Sequence, residues 1–235
     1  MTPLLQVEAI HTAYGSSRVL FGITLDINAG ECVCLLGRNG VGKTTTMRSI
    51  MGLTPPSEGR IRFKGEDITG SAPYRLARRG MGYVPEDRRI FAELTVWENL
   101  EVAARSANRS GPWTSETVSS LFPKLGELRD RMGGVLSGGE QQMLTVARTL
   151  MGNPLLVLLD EPSEGVAPVI VEQMANTIVE LKKEGLSVLL SEQNIHFAEL
   201  VCDRAYVLEK GQLQWHGRMA DLAKDVAAQR RLLSV

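Results

Sequence analysis

"GRNGVGKTTT", residues 37–46, combines three glycines with a lysine that is followed at once by hydroxyl side chains. Gly37, four intervening residues and then Gly42, Lys43 and Thr44 match the spacing of a phosphate-binding loop. The apolar run CVCLLG before the loop predicts a buried strand, and TTTMRSIMGL after it predicts a helix. The glycines let backbone N–H groups converge on one point, to which the helix adds its positive end. The stretch therefore predicts a polyphosphate site at the start of a parallel α/β sheet.

The side chains of this loop have separate expected roles. Lys43 is placed to reach the β- and γ-phosphates of a nucleotide, and Thr44 to place its hydroxyl on Mg²⁺. The residues that we expect to contact the nucleotide in this loop are Gly37, Arg38, Asn39, Gly40, Val41, Gly42, Lys43, Thr44 and Thr45.

Composition and charge narrow the classes of partner. The 235 residues include 26 Lys and Arg against 27 Asp and Glu, a net charge of -1, so no overall basic field favours a nucleic acid. The start MTPLLQVEAI lacks the basic region of a signal peptide, and no segment approaches the ~18 apolar residues of a membrane span. We therefore expect a soluble protein. If it acts at a membrane, we expect it to do so through another chain.

The three cysteines predict buried thiols. Cys32 and Cys34 are two residues apart in an apolar run, which places both on one face of a strand. This spacing favours reduced thiols in a reducing compartment over a metal knuckle or a disulfide framework.

Strand and helix patterns predict an α/β fold in one domain, residues 1–235. LLQVEAI and ITLDINAG alternate as antiparallel strands do, and DRAYVLEKGQLQWHG predicts further alternating strands. The continuous apolar runs LLVLLDEP and SVLLSEQ flank the helical stretch VIVEQMANTIVELKKEG, which indicates a sheet covered on both faces. We therefore predict a mixed, mostly parallel sheet with flanking helices, an antiparallel β sub-part and a helical sub-part over about 88–150. The tail DLAKDVAAQRRLLSV predicts one short amphipathic helix.

Two carboxylates follow the strand LLVLL. A parallel strand delivers Asp160 and Glu161 to the edge of the sheet where ligands bind. We expect Asp160 to hold Mg²⁺ through its waters and Glu161 to orient and polarise the water that attacks the γ-phosphate.

The stretch LSGGEQQ, residues 136–142, resembles the signature of the ATP-binding cassette (ABC) ATPases, a branch of the P-loop NTPases. Physically, Ser137 is also a good cap for the helix that follows. The resemblance implies ATP and Mg²⁺, and a helix end that binds the γ-phosphate of ATP held by the opposite subunit. Tyr14 then lies where an aromatic ring stacks on adenine, and SEGVAP, residues 163–168, forms a loop that crosses the dimer interface. The implied signature contacts are Ser137, Gly138, Gly139 and Glu140.

Two positions depart from the broad family. Glu86 replaces the glutamine that follows YVP and that lies near the metal, and Gln193 replaces a histidine that contacts the γ-phosphate. If the alignment with the family is shifted by one residue, Glu192 instead of Gln193 takes the place of the histidine, although the length of the strand favours Gln193. These two changes raise the alternative that the protein is a nucleotide switch that does not hydrolyse ATP. The presence of Glu161 and Lys43 argues against this alternative.

With YVPEDRRIF, SEGVAP and SEQN, the chain resembles the shorter ATPase subunit of importers for branched-chain amino acids, urea or amides. The resemblance implies a second, different ABC ATPase chain, membrane-spanning permease subunits and, indirectly, a periplasmic solute-binding protein. It also implies a peripheral place at the cytoplasmic face of the bacterial inner membrane. The basic stretch EDRRIFAEL, residues 86–94, is either a solvated loop or a docking segment. An exporter ATPase for lipid or polysaccharide and a soluble cassette ATPase outside transport are the alternatives.

Overall fold

The strand that leads into the phosphate loop lies inside a six-stranded sheet in the computed structural model of the chain, which describes residues 2–106 and 109–233. β3 (Cys32–Leu36) is parallel to its two neighbours in this sheet. The order is β10 (Gln212–Arg218), β9 (Arg204–Glu209), β3, β8 (Ser187–Glu192), β7 (Leu156–Asp160) and β6 (Met81–Val84). Only the pair β9–β10 is antiparallel in this sheet within the described residues, which confirms the mixed, mostly parallel prediction.

A second, antiparallel sheet covers one face of the first. It has the order β2 (Ser17–Ile27), β1 (Leu5–Tyr14), β4 (Glu58–Phe63) and β5 (Glu66–Asp67). Apolar side chains alternate along β1, so that Leu5 and Val7 are buried while Gln6 is less so. This alternation is the pattern of a sheet with one face in the core, and it confirms the predicted antiparallel sub-part.

Helices flank the main sheet and also form the region between β6 and β7. The helices are α1 (Lys43–Ile50), α2 (Pro73–Arg78), α3 (Val96–Ser106), α4 (Ser115–Leu121), α5 (Pro123–Glu127), a 3-10 turn (Gly133–Val135), α6 (Gly138–Leu150), α7 (Pro168–Lys183), α8 (Ile195–Val201), α9 (Met219–Lys224) and α10 (Val226–Leu233). Among the described residues, no helix is both long enough and apolar enough to cross a bilayer.

Two predicted elements differ in the structure. The stretch around β9 predicts alternation, but four consecutive residues of β9 are buried because the strand is parallel to β3 and covered on both faces. The predicted tail helix is interrupted at Asp225, where the ends of α9 and α10 meet, and its last two residues, 234–235, lie outside the described residues.

The core has two parts, one on each face of β3. Cys32, Cys34 and Leu36 face the part that contains α6 and α7, whereas Val33 and Leu35 face α1 and the antiparallel sheet. The alternation of side chains along one strand thus joins both parts of the core directly below the phosphate loop.

The three thiols are buried, as predicted. Sγ of Cys32 lies 3.4 Å from Sγ of Cys202, and both are free thiols. The hydrogen bond with Cys202 and burial raise the pKa of Cys32 well above its ordinary value. The cluster is therefore protonated and packs as part of the core.

The β9–β10 turn supports the phosphate loop from the side. The N–H of Gly211 donates to the carbonyl of Val41 at 2.9 Å, and the carbonyl of Gly211 accepts from the N–H of Phe21. Gly211 has φ 76°, and a methyl group there would lie 1.9 Å from the carbonyl oxygen of Val19. Glycine is required at this turn because the backbone of β2 passes so closely.

Gly211→Ala should therefore destabilise the protein by about 3 kcal/mol, because the left-handed conformation and the contact with Val19 both oppose a side chain. Gly15→Ala is the matched control, since Gly15 has φ 59° in another hairpin turn but nothing within 4 Å of an added methyl. It should cost only about 1 kcal/mol. Urea unfolding of both variants measures the difference, and equal losses would contradict the close-approach argument.

Candidate nucleotide-binding and hydrolysis site

Lys43, in the first turn of α1, is buried beneath the phosphate loop. Its Nζ donates to the carbonyls of Gly37 at 2.7 Å and Arg38 at 3.0 Å, and lies 3.0 Å from Oε1 of Glu161. An ammonium has three N–H donors, so these three oxygens satisfy it fully. The loop is thereby closed around the lysine and tied to the end of β7.

The rest of the predicted loop forms its open rim and its base. Arg38, Asn39 and Gly40 are exposed at the rim. At the base, Gly42 directly precedes α1 and Thr45 is buried within the first turn of this helix. The loop therefore has an exposed rim over a buried base, and the contact of these residues with a polyphosphate stays a prediction.

Asp160 is fully buried at the carboxyl end of β7 and accepts three hydroxyl hydrogen bonds. Oδ1 accepts from Thr44 at 3.1 Å and from Ser191 at 2.6 Å, and Oδ2 accepts from Tyr83 at 2.9 Å. Burial and the Asp160 charge raise the pKa of Tyr83, which keeps this phenol a donor. The adjacent Thr44 hydroxyl and Asp160 carboxylate are oxygen ligands of the type that Mg²⁺ prefers, so the residues fit this ion.

Glu161 directly follows β7 and has the left-handed backbone φ of 47°. Its N–H donates to both the carbonyl and the hydroxyl of Ser191 on β8, which fixes the turn. With the Asn39 amide turned so that its nitrogen faces the carboxylate, that nitrogen lies 3.2 and 3.3 Å from the two Glu161 oxygens. Burial, followed by the nearby Glu164, raises the pKa of Glu161, while Lys43 acts in the opposite direction. A carboxyl group with a raised pKa is suited to accept a proton.

Glu86 lies in the loop after β6 and lines the same cleft as Thr44 and Asp160. Partial burial raises the pKa of Glu86, and the negative charges of Glu161 and Asp160 act in the same direction. The predicted metal-site residues Thr44, Asp160 and Glu86 are thus brought to one cleft from three segments of the chain.

Gln193 and Glu192 point to different surroundings at the end of β8. Glu192 is buried, and its carboxylate accepts from the N–H groups of Ser163 and Asn194. The N–H of Gly37 donates to the carbonyl of Glu192, which places β8 beside the phosphate loop. Gln193, the next residue, is exposed. Glu192 is therefore occupied in holding the loop after Glu161, while Gln193 is accessible.

The signature residues form a capped helix start. Ser137 Oγ accepts from the N–H of Glu140, and the Glu140 carboxylate accepts from the N–H and the hydroxyl of Ser137, both at 2.8 Å. These bonds lower the pKa of Glu140, which keeps it ionised near the positive helix end. Within the described residues, no hydrogen bond joins Ser137 or Glu140 to the phosphate loop. The two predicted groups of nucleotide contacts are therefore not joined by a hydrogen bond through these two side chains.

Tyr14 ends β1, opposite Ser17 at the hairpin, and its side chain is exposed. Its ring is thus accessible to solvent, and its stacking on adenine stays a prediction.

Sequence reasoning missed Ser191 and Tyr83, which hold Asp160. Both lie on strands beside β7, and Ser191 is directly opposite Asp160 in the parallel pairing. The sequence signal that could have identified Ser191 is a hydroxyl residue near the carboxyl end of the apolar run SVLLSEQ.

Comparisons with known proteins agree with this geometry. The family model described as ABC transporter matches residues 20–164. The chain is 40% identical over 220 residues to the high-affinity branched-chain amino acid transport ATP-binding protein BraG of Pseudomonas aeruginosa, with 93% of this chain and 94% of BraG covered. It is 37% identical over 226 residues to the lipopolysaccharide export system ATP-binding protein LptB of Escherichia coli, with 94% and 93% covered.

A solved structure gives the same fold. The ADP conformation of MJ1267, an ATP-binding cassette of an ABC transporter, aligns with a TM-score of 0.86 and 29% identity, covering 100% of this chain and 98% of that one. Sequence family, fold and the buried lysine beneath a glycine loop all lead to the same assignment. The chain belongs to the ABC transporter family, as an ATP-binding ATPase.

Proposed function

We propose that this ATPase powers a bacterial importer of branched-chain amino acids or a related small polar solute. The observation that carries the catalytic part is the buried contact between Lys43 and Glu161, with Asp160 and Thr44 beside them. It brings a phosphate-binding cation, a base and two oxygen ligands to one end of the sheet. These are the groups that phosphoryl transfer to water requires.

Hydrolysis follows from the roles of these side chains. Lys43 binds the β- and γ-phosphates when it exchanges its carboxylate partner for phosphate oxygens. Glu161 is then released to orient the attacking water and accept its proton. Thr44 and Asp160, with Glu86 nearby, would hold Mg²⁺, which neutralises the charge of the phosphates when bound.

The proposed partners follow from the resemblance of residues 136–142 to the ABC signature, whose described hydrogen bonds do not reach the phosphate loop. We propose that the signature residues Ser137, Gly138, Gly139 and Glu140 bind ATP held by a second, different ABC ATPase chain. ATP then links the two chains, so its occupancy controls whether they close. In this proposal the pair acts on membrane-spanning permease subunits at the cytoplasmic face of the inner membrane, with a periplasmic solute-binding protein supplying the solute.

The relatives suggest two alternative transported substrates. Similarity to BraG, together with Glu86 and Gln193, supports amino acid import, whereas the nearly equal similarity to LptB supports lipopolysaccharide export. Proteoliposomes that contain the chain with its permease subunits and partner ATPase would distinguish them. ATP-dependent uptake of labelled leucine is expected, and ATP-dependent lipopolysaccharide release without uptake would favour the export function.

Glu161→Gln should retain ATP affinity and lose turnover by about a hundredfold or more, because it removes the base but leaves Lys43 and the loop in place. Calorimetry measures binding and phosphate release measures turnover. Glu172→Gln is the matched control, since Glu172 is an exposed residue of α7. Parental turnover in Glu161→Gln would exclude Glu161 as the base.

Lys43→Ala should weaken ATP binding about tenfold or more, because a charged hydrogen-bond donor to the phosphates is lost. The change also leaves the Glu161 carboxylate without its cation. The double variant Lys43→Ala/Glu161→Gln separates the two effects, and it should bind ATP as weakly as the single variant. An affinity equal to that of the parent, measured by calorimetry, would refute the phosphate-binding role.

Gln193→Ala should lower turnover about tenfold or more, whereas Gln193→His should retain it and change the pH profile between about pH 6 and 8. A glutamine amide donates a hydrogen bond at any pH in this range, but an imidazole loses a proton there. Turnover at saturating Mg-ATP across this range tests all three forms. If Gln193→Ala matches the parent, Gln193 is not the γ-phosphate donor.

A further inference from the structure

The loop after β6 contains two consecutive residues in a costly backbone conformation. Arg88 has φ 61° and Arg89 has φ 49°, in the left-handed region that residues with a side chain enter at a cost of about 1–2 kcal/mol each. α6 supplies the bonds that hold this turn. Thr145 Oγ1 donates to the carbonyl of Arg88 at 2.8 Å, and Arg148 Nη2 donates to the carbonyl of Arg89 at 2.6 Å. The turn is thus fixed on the helix whose first residues form the signature.

The two arginine side chains have different surroundings. Arg89 pairs with Asp87 at 2.8 Å, and both of these side chains are largely exposed. Arg88 is partly buried, and in the described part of the chain it pairs with no carboxylate. Its guanidinium lies against two glycines instead: a methyl group added at Gly138 would be 2.6 Å from Nη1, and one added at Gly165 would be 3.9 Å from Nη2.

These contacts join three functional segments. Gly138 is the first residue of α6 in the signature, Gly165 belongs to the loop SEGVAP that follows Glu161, and Arg88 is two residues after Glu86. The planar guanidinium fills the space between the two loops, where an ammonium would not present the same flat surface. A shift of either loop therefore changes the packing of the other through one side chain.

We propose that Arg88 is a positioning residue that fixes the signature loop against the loop after Glu161. The inference rests on the proposed function, because the signature affects hydrolysis only where it meets the ATP of a second chain. Within the described residues, no hydrogen bond or ion pair joins Arg88 to Lys43 or Asp160. Removal of Arg88 therefore misplaces the signature and leaves the chain's own phosphate loop unchanged.

The test compares Arg88→Ala with Arg89→Ala in the full chain. Both changes keep a non-glycine residue in the left-handed turn, but only the first removes the guanidinium between Gly138 and Gly165. Hydrogen exchange of the peptides that span residues 137–141 and 162–168, measured without nucleotide, reports directly whether Arg88 holds the two loops together. Calorimetry with ATP and phosphate release then give affinity and kcat, and thermal unfolding monitors stability.

In Arg88→Ala we expect exchange of both peptides to accelerate severalfold and kcat to fall about tenfold, with ATP affinity within about twofold of the parent. Arg89→Ala should match the parent in the exchange of both peptides, which is the readout for which it is the control. Parental exchange in Arg88→Ala, or the same acceleration of exchange in Arg89→Ala, overturns the assignment. A parent chain that binds no ATP would instead reject the proposed function, and the exchange data would still decide whether Arg88 joins the two loops.

Discussion

A buried lysine that must be neutralised determines how this site is built. Removing an ammonium from water costs several kcal/mol unless hydrogen bonds and an opposite charge replace the solvent. Three protein oxygens take the place of water around the Lys43 ammonium: two carbonyl oxygens of the phosphate loop and one carboxylate oxygen of Glu161. The carbonyls of Gly37 and Arg38 therefore point toward the lysine. The same contact holds Glu161, the proposed base, beside the loop that we propose binds the γ-phosphate.

Three parallel strands bring the partners of this lysine together. β8 lies between β3 and β7, and its last two residues bond to both neighbours: Glu192 accepts from Gly37, and Ser191 accepts from Glu161. The site therefore depends on the register of the sheet as much as on its motifs. A one-residue slip of β8 would move the Ser191 hydroxyl away from Asp160 and turn the Glu192 side chain out of its buried position.

Local patterns in the sequence predict those parts of the structure that local physics controls. The glycine loop before α1, the carboxylates after β7 and the serine cap of α6 each combine a turn or cap with a regular element, and the structure has them at those residues. The sequence does not predict the long-range choices. β9 is buried on both faces only because it pairs with β3, and Tyr83 becomes a partner of Asp160 only because β6 lies beside β7. The contact of Arg88 with Gly138 likewise depends on the packing of a loop on α6.

The positive end of the signature helix α6 is already neutralised and capped by residues of the same chain. Glu140 places a negative charge at the helix start and accepts both hydrogen bonds that Ser137 can donate, so the cap is satisfied without a ligand. A phosphate that approaches this helix must compete with that carboxylate for the Ser137 hydroxyl and meets its negative charge. The N–H groups of Gly138 and Gly139 lie in the first turn, where the helix offers no carbonyl partner, and they are the donors that remain for an anion. The cap thus keeps the helix start folded between cycles. We expect an anion to bind there only when several groups hold it at once, which the proposed nucleotide shared between two chains would allow.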